Sequence, residues 1–134
     1  MRKIFVYGTL KKGFWNEHFL KDAQFICQDI TRDAKFYMKE IRSSCKDGYT
    51  YPAVYENGSY KVSGEVYNIS DKILKQLDIL EDVNIEYIRK KVDLEKSGMI
   101  ETYISIQNLP DLKNQLHIEA KNGILRFTNQ NLTE

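Results

Sequence analysis

A carboxylate among apolar residues at the end of a helix is the sharpest chemical feature of this sequence. Ser70 suits an N-cap and Asp71 the first turn after it, so a helix is expected from Asp71 to about Glu81 or Asp82. At about 100° per residue, Ile73, Leu74, Leu77 and Leu80 share one stripe, with Glu81 at its edge and Lys72, Lys75 and Asp82 opposite. A helix C-terminus carries partial negative charge, and burial strips away water. Both disfavour the anion and push a carboxyl toward neutrality, which suits proton transfer near neutral pH. The same pattern fits a Glu that bends out to solvent, and spacing alone leaves both orientations open.

The second feature is Gly8-Thr9-Leu10-Lys11-Lys12-Gly13. It matches the G-x-x-x-x-G part of a phosphate loop, but Phe14-Trp15 stands where Lys and Ser/Thr are required, so nucleotide binding by that motif is excluded. A strand ending in a glycine turn still aims several backbone N–H groups at one point, and such a nest suits a carboxylate or a developing oxyanion. An ordinary strand-to-helix turn is the alternative. Tyr87 and Arg89 are two apart on a strand and share one face, either lining a site or lying exposed. Glu65 alternates away from the Val62/Val66 face, toward a barrel interior or solvent. His18 and His117 are isolated, with no metal-ligand spacing, and read as surface or structural residues. Cys27 and Cys45 form neither a CxxC pair nor a zinc pattern, and a disulfide between them is not expected.

These groups need elements to position them. Lys3–Tyr7 is a short β-prone run closed by Gly8 and reads as a buried first strand. Phe14–Lys21 has Trp15, Phe19 and Leu20 at helical spacing and reads as a short helix. Phe25–Ile30 and Ala34–Met38 read as strands, Ser43–Tyr51 as a polar loop, and Pro52–Tyr55 as a short edge strand before an Asn57-Gly58 turn. Tyr60–Asn68 alternates, with Val62, Gly64 and Val66 on one face; a glycine inside a strand marks a bulge or a close backbone approach. Tyr87–Glu95 and Met99–Ile106 are strands joined by Lys96-Ser97-Gly98, and Leu116–Ala120 with Ile124–Thr128 suits a hairpin around Lys121-Asn122-Gly123. Many strands with two helices define an α+β domain, a small mixed barrel rather than a doubly wound sheet.

The 134 residues fit one domain, 1–134, with 107–134 as a C-terminal extension. A hydrophobic fraction of 42% supports a packed core without metal or disulfide staples. The net charge of +1, with 20 Lys+Arg and 19 Asp+Glu interspersed, gives no basic surface for nucleic acid. The N-terminus enters a strand at once, and no run spans a bilayer, so a soluble cytoplasmic protein is expected. Composition does not fix the oligomeric state.

Three motifs in order carry a family resemblance. Phe5-Val6-Tyr7-Gly8-Thr9-Leu10-Lys11-Lys12-Gly13 followed by Asn16, then Gly64-Glu65-Val66-Tyr67, then Leu77-Asp78-x-Leu80-Glu81 with Tyr87-x-Arg89, resemble the signatures of the gamma-glutamylcyclotransferase-like family. The likeness covers Ile4 to about Leu94 and is closest to the gamma-glutamylamine cyclotransferase branch, whose tail Leu125-Arg126-Phe127 also resembles. It implies a small mixed β-barrel flanked by short helices. It also implies release of 5-oxoproline by attack of a gamma-glutamyl α-amine on its own γ-carbonyl, with no metal or cofactor and a small gamma-glutamyl compound as partner. Glu81 would be the catalytic carboxylate, and Tyr7, Gly8, Thr9, Leu10, Asn16, Tyr87 and Arg89 would hold the substrate. Phe14, Trp15, the Ser43–Tyr51 loop and the C-terminal segment would wall the leaving-amine side. Many family members carry Gly after the catalytic Glu; this chain has Asp82, as the amine branch tolerates. The alternatives are a family relative that binds a small ligand without turnover and, more remotely, an unrelated RNA-binding barrel.

Overall fold

The computed structural model describes residues 2–44, 48–113 and 115–129. Its strands in chain order are β1 (Arg2–Val6), β2 (Gln24–Ile30), β3 (Phe36–Arg42), β4 (Thr50–Glu56), β5 (Lys61–Ile69), β6 (Tyr87–Leu94), β7 (Gly98–Ser105), β8 (Ile118–Lys121) and β9 (Ile124–Phe127). Among the described residues, one α-helix, α1 (Asp71–Leu80), follows β5, and a single 3-10 turn spans Glu17–Leu20. The helix expected over Phe14–Lys21 is thus shortened to that turn; the preceding loop is folded into tight turns of its own, Lys11 N–H to Gly8 and Phe14 N–H to Lys11.

The long strand β5 organises the sheet, because its residues from Val62 to Tyr67 are buried on both faces. β1 runs antiparallel along it, from Arg2 opposite Ile69 to Val6 opposite Glu65. β2 also pairs with β5, slipping register between Phe25 and Cys27. Where β1 leaves β5, β9 joins it in parallel at Lys61 and Val62. β7 pairs in parallel with β1 and antiparallel with β6, giving the order β6-β7-β1-β5-β9-β8. The mixed sheet curls into a half-barrel. Its edges touch at one end, where Thr31 pairs with Leu94 and Arg32 N–H donates to the Asp93 carbonyl at 2.8 Å.

Curling is tight at Gly64. A Cβ there would lie 2.5 Å from the Val6 carbonyl oxygen and 2.7 Å from the Phe5 ring, so the strand glycine marks the close approach expected of it. One core lies under α1, where Ile73, Leu74 and Leu77 pack with Ile4, Val6, Ile69 and Tyr103. The other face packs Phe5, Phe36, Val62, Val66 and Leu94. Each such side chain contributes roughly 1.5–3 kcal/mol when fully buried.

β3 and β4 form a separate antiparallel ribbon, in register from Phe36 opposite Glu56 to Arg42 opposite Thr50. Full-length pairing extends both strands beyond the expected Ala34–Met38 and Pro52–Tyr55, so Thr50 and Tyr51 belong to β4 rather than to a loop. At the other end of the chain, Asn122 (φ 53°) and Gly123 (φ 75°) both adopt the left-handed conformation that a two-residue hairpin turn requires.

Glu40 of β3 is fully buried and ties the C-terminal segment to this ribbon. Its carboxylate accepts from Thr50 Oγ1 (2.6 Å), Leu116 N–H (2.9 Å) and His117 N–H (2.8 Å), and lies 2.9 Å from His117 Nδ1. Burial pushes this carboxyl upward, but the hydrogen bonds from Thr50 and His117 outweigh it and hold the group below the usual carboxylate range. His117 therefore has a structural role. Glu65 faces the interior, accepting from Lys12 N–H and the Tyr67 hydroxyl, both at 3.0 Å. Cys27 is a free thiol; Cys45 lies outside the described residues.

Candidate active site

The turn after β1 is held open by its neighbours. Asn16, itself buried, donates its backbone N–H to the Thr9 carbonyl (3.0 Å) and its side-chain amide to Thr9 Oγ1 (3.1 Å). Lys11 reaches Phe127 with Nζ 2.6 Å from its carbonyl oxygen, so β9 anchors the far side. Among the described residues, the N–H groups of Gly8, Thr9 and Leu10 donate to no other group. Gly8 is required by proximity: a Cβ would sit 2.6 Å from Cγ and 2.9 Å from Cδ of Pro52, inside the contact distance of carbon atoms. The ring has no free end to swing aside. Gly8→Ala is expected to cost about 1–3 kcal/mol in urea unfolding, as overpacking does. It should also disturb the Pro52 carbonyl that accepts from Tyr87 at 3.2 Å.

Glu81 caps α1. Its N–H donates to Leu77, Asp82 N–H to Ile79 and Val83 N–H to Asp78, which together form a Schellman closure. That closure needs a left-handed residue, and Asp82 supplies it at φ 48°. The helix accordingly stops at Leu80, and Asp82, expected on the polar side, instead lines the same cavity as Glu81. The Asp82 carbonyl then accepts from both Ile85 and Glu86, so a tight loop brings Glu86 and Tyr87 back beside Glu81. Glycine adopts this φ freely where Asp does not. Asp82→Gly should therefore raise stability by about 0.5–1 kcal/mol, read as a higher urea midpoint.

A cavity of about 230 Å³ joins the two features. Glu81 is half-buried, keeping solvent contact at the cavity while neighbouring atoms crowd it. Burial, reinforced by the Glu86 and Asp82 carboxylates, raises its pKa to about 8. The tyrosines around it keep their protons, since burial and the negative charge of Glu81 push Tyr7 and Tyr87 above the usual range. Each hydroxyl is committed: Tyr7 to the Tyr103 carbonyl (2.6 Å), Tyr51 to Glu86 Oε1 (2.5 Å) and Tyr103 to Asp78 Oδ1 (2.8 Å).

Tyr7, Gly8, Thr9, Leu10, Asn16 and Tyr87 line the cavity with Glu81. Arg89 does not. Its Nε lies 3.0 Å from Asp78 Oδ1 and its Nη1 3.1 Å from Glu101 Oε2, so it braces α1 against β7. Trp15, Ser43, Ser44 and Tyr51 form part of the wall as expected, but Phe14 packs on Phe127 instead, and no described residue beyond 106 reaches the cavity. Pro52, Glu86 and Tyr103 are wall residues that the sequence did not single out. Tyr103 faces Arg89 across β6 and β7, a register readable only once the sheet is built.

In this half-barrel the raised-pKa acid Glu81 and the glycine turn line one cavity, and comparison with known proteins identifies the class of the chain. The chain matches the family model "Gamma-glutamyl cyclotransferase, AIG2-like" over residues 4–122 and belongs to that family. It is 39% identical over 97 residues to a Methanocaldococcus jannaschii protein named "Putative gamma-glutamylcyclotransferase", covering 70% of this chain and 72% of the relative. It is 32% identical over 126 residues to gamma-glutamylaminecyclotransferase C of Danio rerio, covering 84% of this chain and 80% of the relative. An AIG2-like protein from Mus musculus shares the fold with a TM-score of 0.66 at 22% identity, over 97% of each chain. Family membership supports a cyclotransferase activity in general terms. Among the described residues, no helix is long and apolar enough to cross a membrane.

Proposed function

We propose that the chain converts a gamma-glutamyl amine to 5-oxoproline and a free amine, with Glu81 as acid and base. The observation that carries this reading is a cavity lined at once by Glu81, its pKa raised to about 8, and by the Gly8–Leu10 turn. In the reaction the substrate's α-ammonium gives a proton to the Glu81 carboxylate. The freed amine attacks the γ-carbonyl, forming a C–N bond and a tetrahedral oxyanion. As the intermediate collapses, Glu81 gives its proton to the leaving nitrogen and the bond to that nitrogen breaks. The second proton of the ring nitrogen then passes to Glu81 and on to the departing amine, which leaves as an ammonium. An acid titrating near neutrality serves in both directions.

The nucleophile is tethered to its target, so holding the curled chain supplies about 7–11 kcal/mol of barrier lowering. Undonated N–H groups of the turn suit the substrate carboxylate or the oxyanion. Tyr7 and Tyr87, fixed by their own hydrogen bonds, shape the wall against the glutamyl chain. In this reading Arg89 is a positioning residue: it holds Asp78, which accepts from Tyr103, whose carbonyl accepts from Tyr7. Incubation with gamma-glutamyl amines, with 5-oxoproline measured by chromatography, tests the proposal. Product at the level of a buffer blank across a panel of such amines would sink it.

A further inference from the structure

We infer that Glu86 selects for a positive charge on the leaving amine, an assignment that rests on the reading just given. The cavity wall carries three carboxylates, Glu81, Asp82 and Glu86, and no Lys, Arg or His among its described residues. Glu81 is needed at the reacting nitrogens. Asp82 is exposed to solvent, which screens it. Glu86 is half-buried and held in place from three sides. Its N–H donates to Asp82, its carbonyl accepts from Ile106, and its Oε1 accepts the Tyr51 hydroxyl at 2.5 Å.

That last bond orients the carboxylate and leaves Oε2 with no donor among the described residues. Tyr51 keeps its proton, because burial and Glu86 itself push the phenol above its ordinary range, so the negative charge stays on the carboxylate and is not shifted to the phenol. An ammonium on the leaving portion would find a fixed acceptor there. A carboxylate on the leaving portion would meet like charge with no basic side chain among the wall's described residues to offset it. Two basic residues beside wall residues are committed elsewhere: Lys11, next to Leu10, to the Phe127 carbonyl, and Arg89 to Asp78 and Glu101.

The test uses three conjugates of gamma-glutamate: with a diamine, with a neutral alkylamine of equal length, and with an amino acid bonded through its α-amine. Binding is measured calorimetrically on Glu81→Gln, in which proton transfer is blocked, and on Glu81→Gln/Glu86→Gln. Turnover is measured on the wild type and on Glu86→Gln. The diamine conjugate should bind Glu81→Gln about tenfold more tightly than the alkylamine conjugate, and the amino acid conjugate about tenfold more weakly, as a partly screened charge pair allows. In the double variant the three should fall within about threefold. The same ordering in the wild-type kcat/KM, flattened in Glu86→Gln, completes the result. Equal binding of all three, no binding of any, or an ordering that survives Glu86→Gln overturns the assignment even if 5-oxoproline is formed. Ordered binding without turnover in the wild type upholds charge selection and removes the cyclotransferase reading.

Discussion

Glu81→Gln should lower the rate of 5-oxoproline formation by about 10²–10⁴-fold, the range that positioned acid–base catalysis contributes. Gln keeps the shape of the side chain and its place at the end of α1, but it can neither take the ammonium proton nor return it. The same substitution makes a second, independent prediction about folding. Burial raises the Glu81 pKa from its ordinary 4.5 to about 8. Between those values the folded protein holds a proton that the unfolded chain has released, so stability falls as pH rises through this window. A tenfold change in proton affinity between the two states corresponds to about 1.4 kcal/mol, and solvent at the cavity screens part of it. Glu81→Gln lacks this penalty. It should match the wild type near pH 4.5 and exceed it by about 2–4 kcal/mol above pH 8. Urea unfolding at several pH values reads the difference. Parallel curves for the two proteins would falsify the buried-acid assignment whatever the kinetics show.

Glu40→Ala should destabilise the fold by about 3–5 kcal/mol, the cost of breaking a buried charged network from one side. The substitution leaves the Leu116 and His117 N–H groups and the Thr50 hydroxyl without their acceptor. It also removes the partner beside the His117 ring. Unsatisfied buried donors, not lost Coulomb attraction, account for most of the expected loss. The effect should be local as well as global, with hydrogen exchange accelerating first at Leu116 and His117. A loss under about 1 kcal/mol would mean that water enters and replaces the carboxylate.

What is legible in the sequence is what local chemistry determines. Ser70 caps α1 as its residue type requires, accepting from Ile73 N–H at 3.2 Å. Gly64 betrays the close packing of β1 against β5, and Asn122-Gly123 turns its hairpin. Glu81 lies at the edge of an apolar stripe, and that stripe is the buried face of α1. The acid's partners are not legible. Asp82 changes sides because the helix ends one or two residues earlier than expected, in a left-handed turn that spacing does not reveal. Arg89 shares a strand with Tyr87, but the carboxylates that claim it lie on α1 and β7. Pro52 and Tyr103 reach the cavity only through ribbon placement and sheet register, both long-range properties. Glu40 and His117 are 77 residues apart, and neither carries a local signature of the other.

The parallel pairing of β1 with β7, Ile4 opposite Glu101, sets the order of events during synthesis. At about 5–20 residues per second, the ribosome makes the first strand roughly five to twenty seconds before its far neighbour exists. Until then Ile4, Phe5 and Val6, all nearly fully enclosed in the finished fold, have only part of their eventual shelter. A nascent chain halted before Tyr103 also lacks the carbonyl that fixes the Tyr7 hydroxyl. The turn after β1 is thus translated well before the strand that completes it.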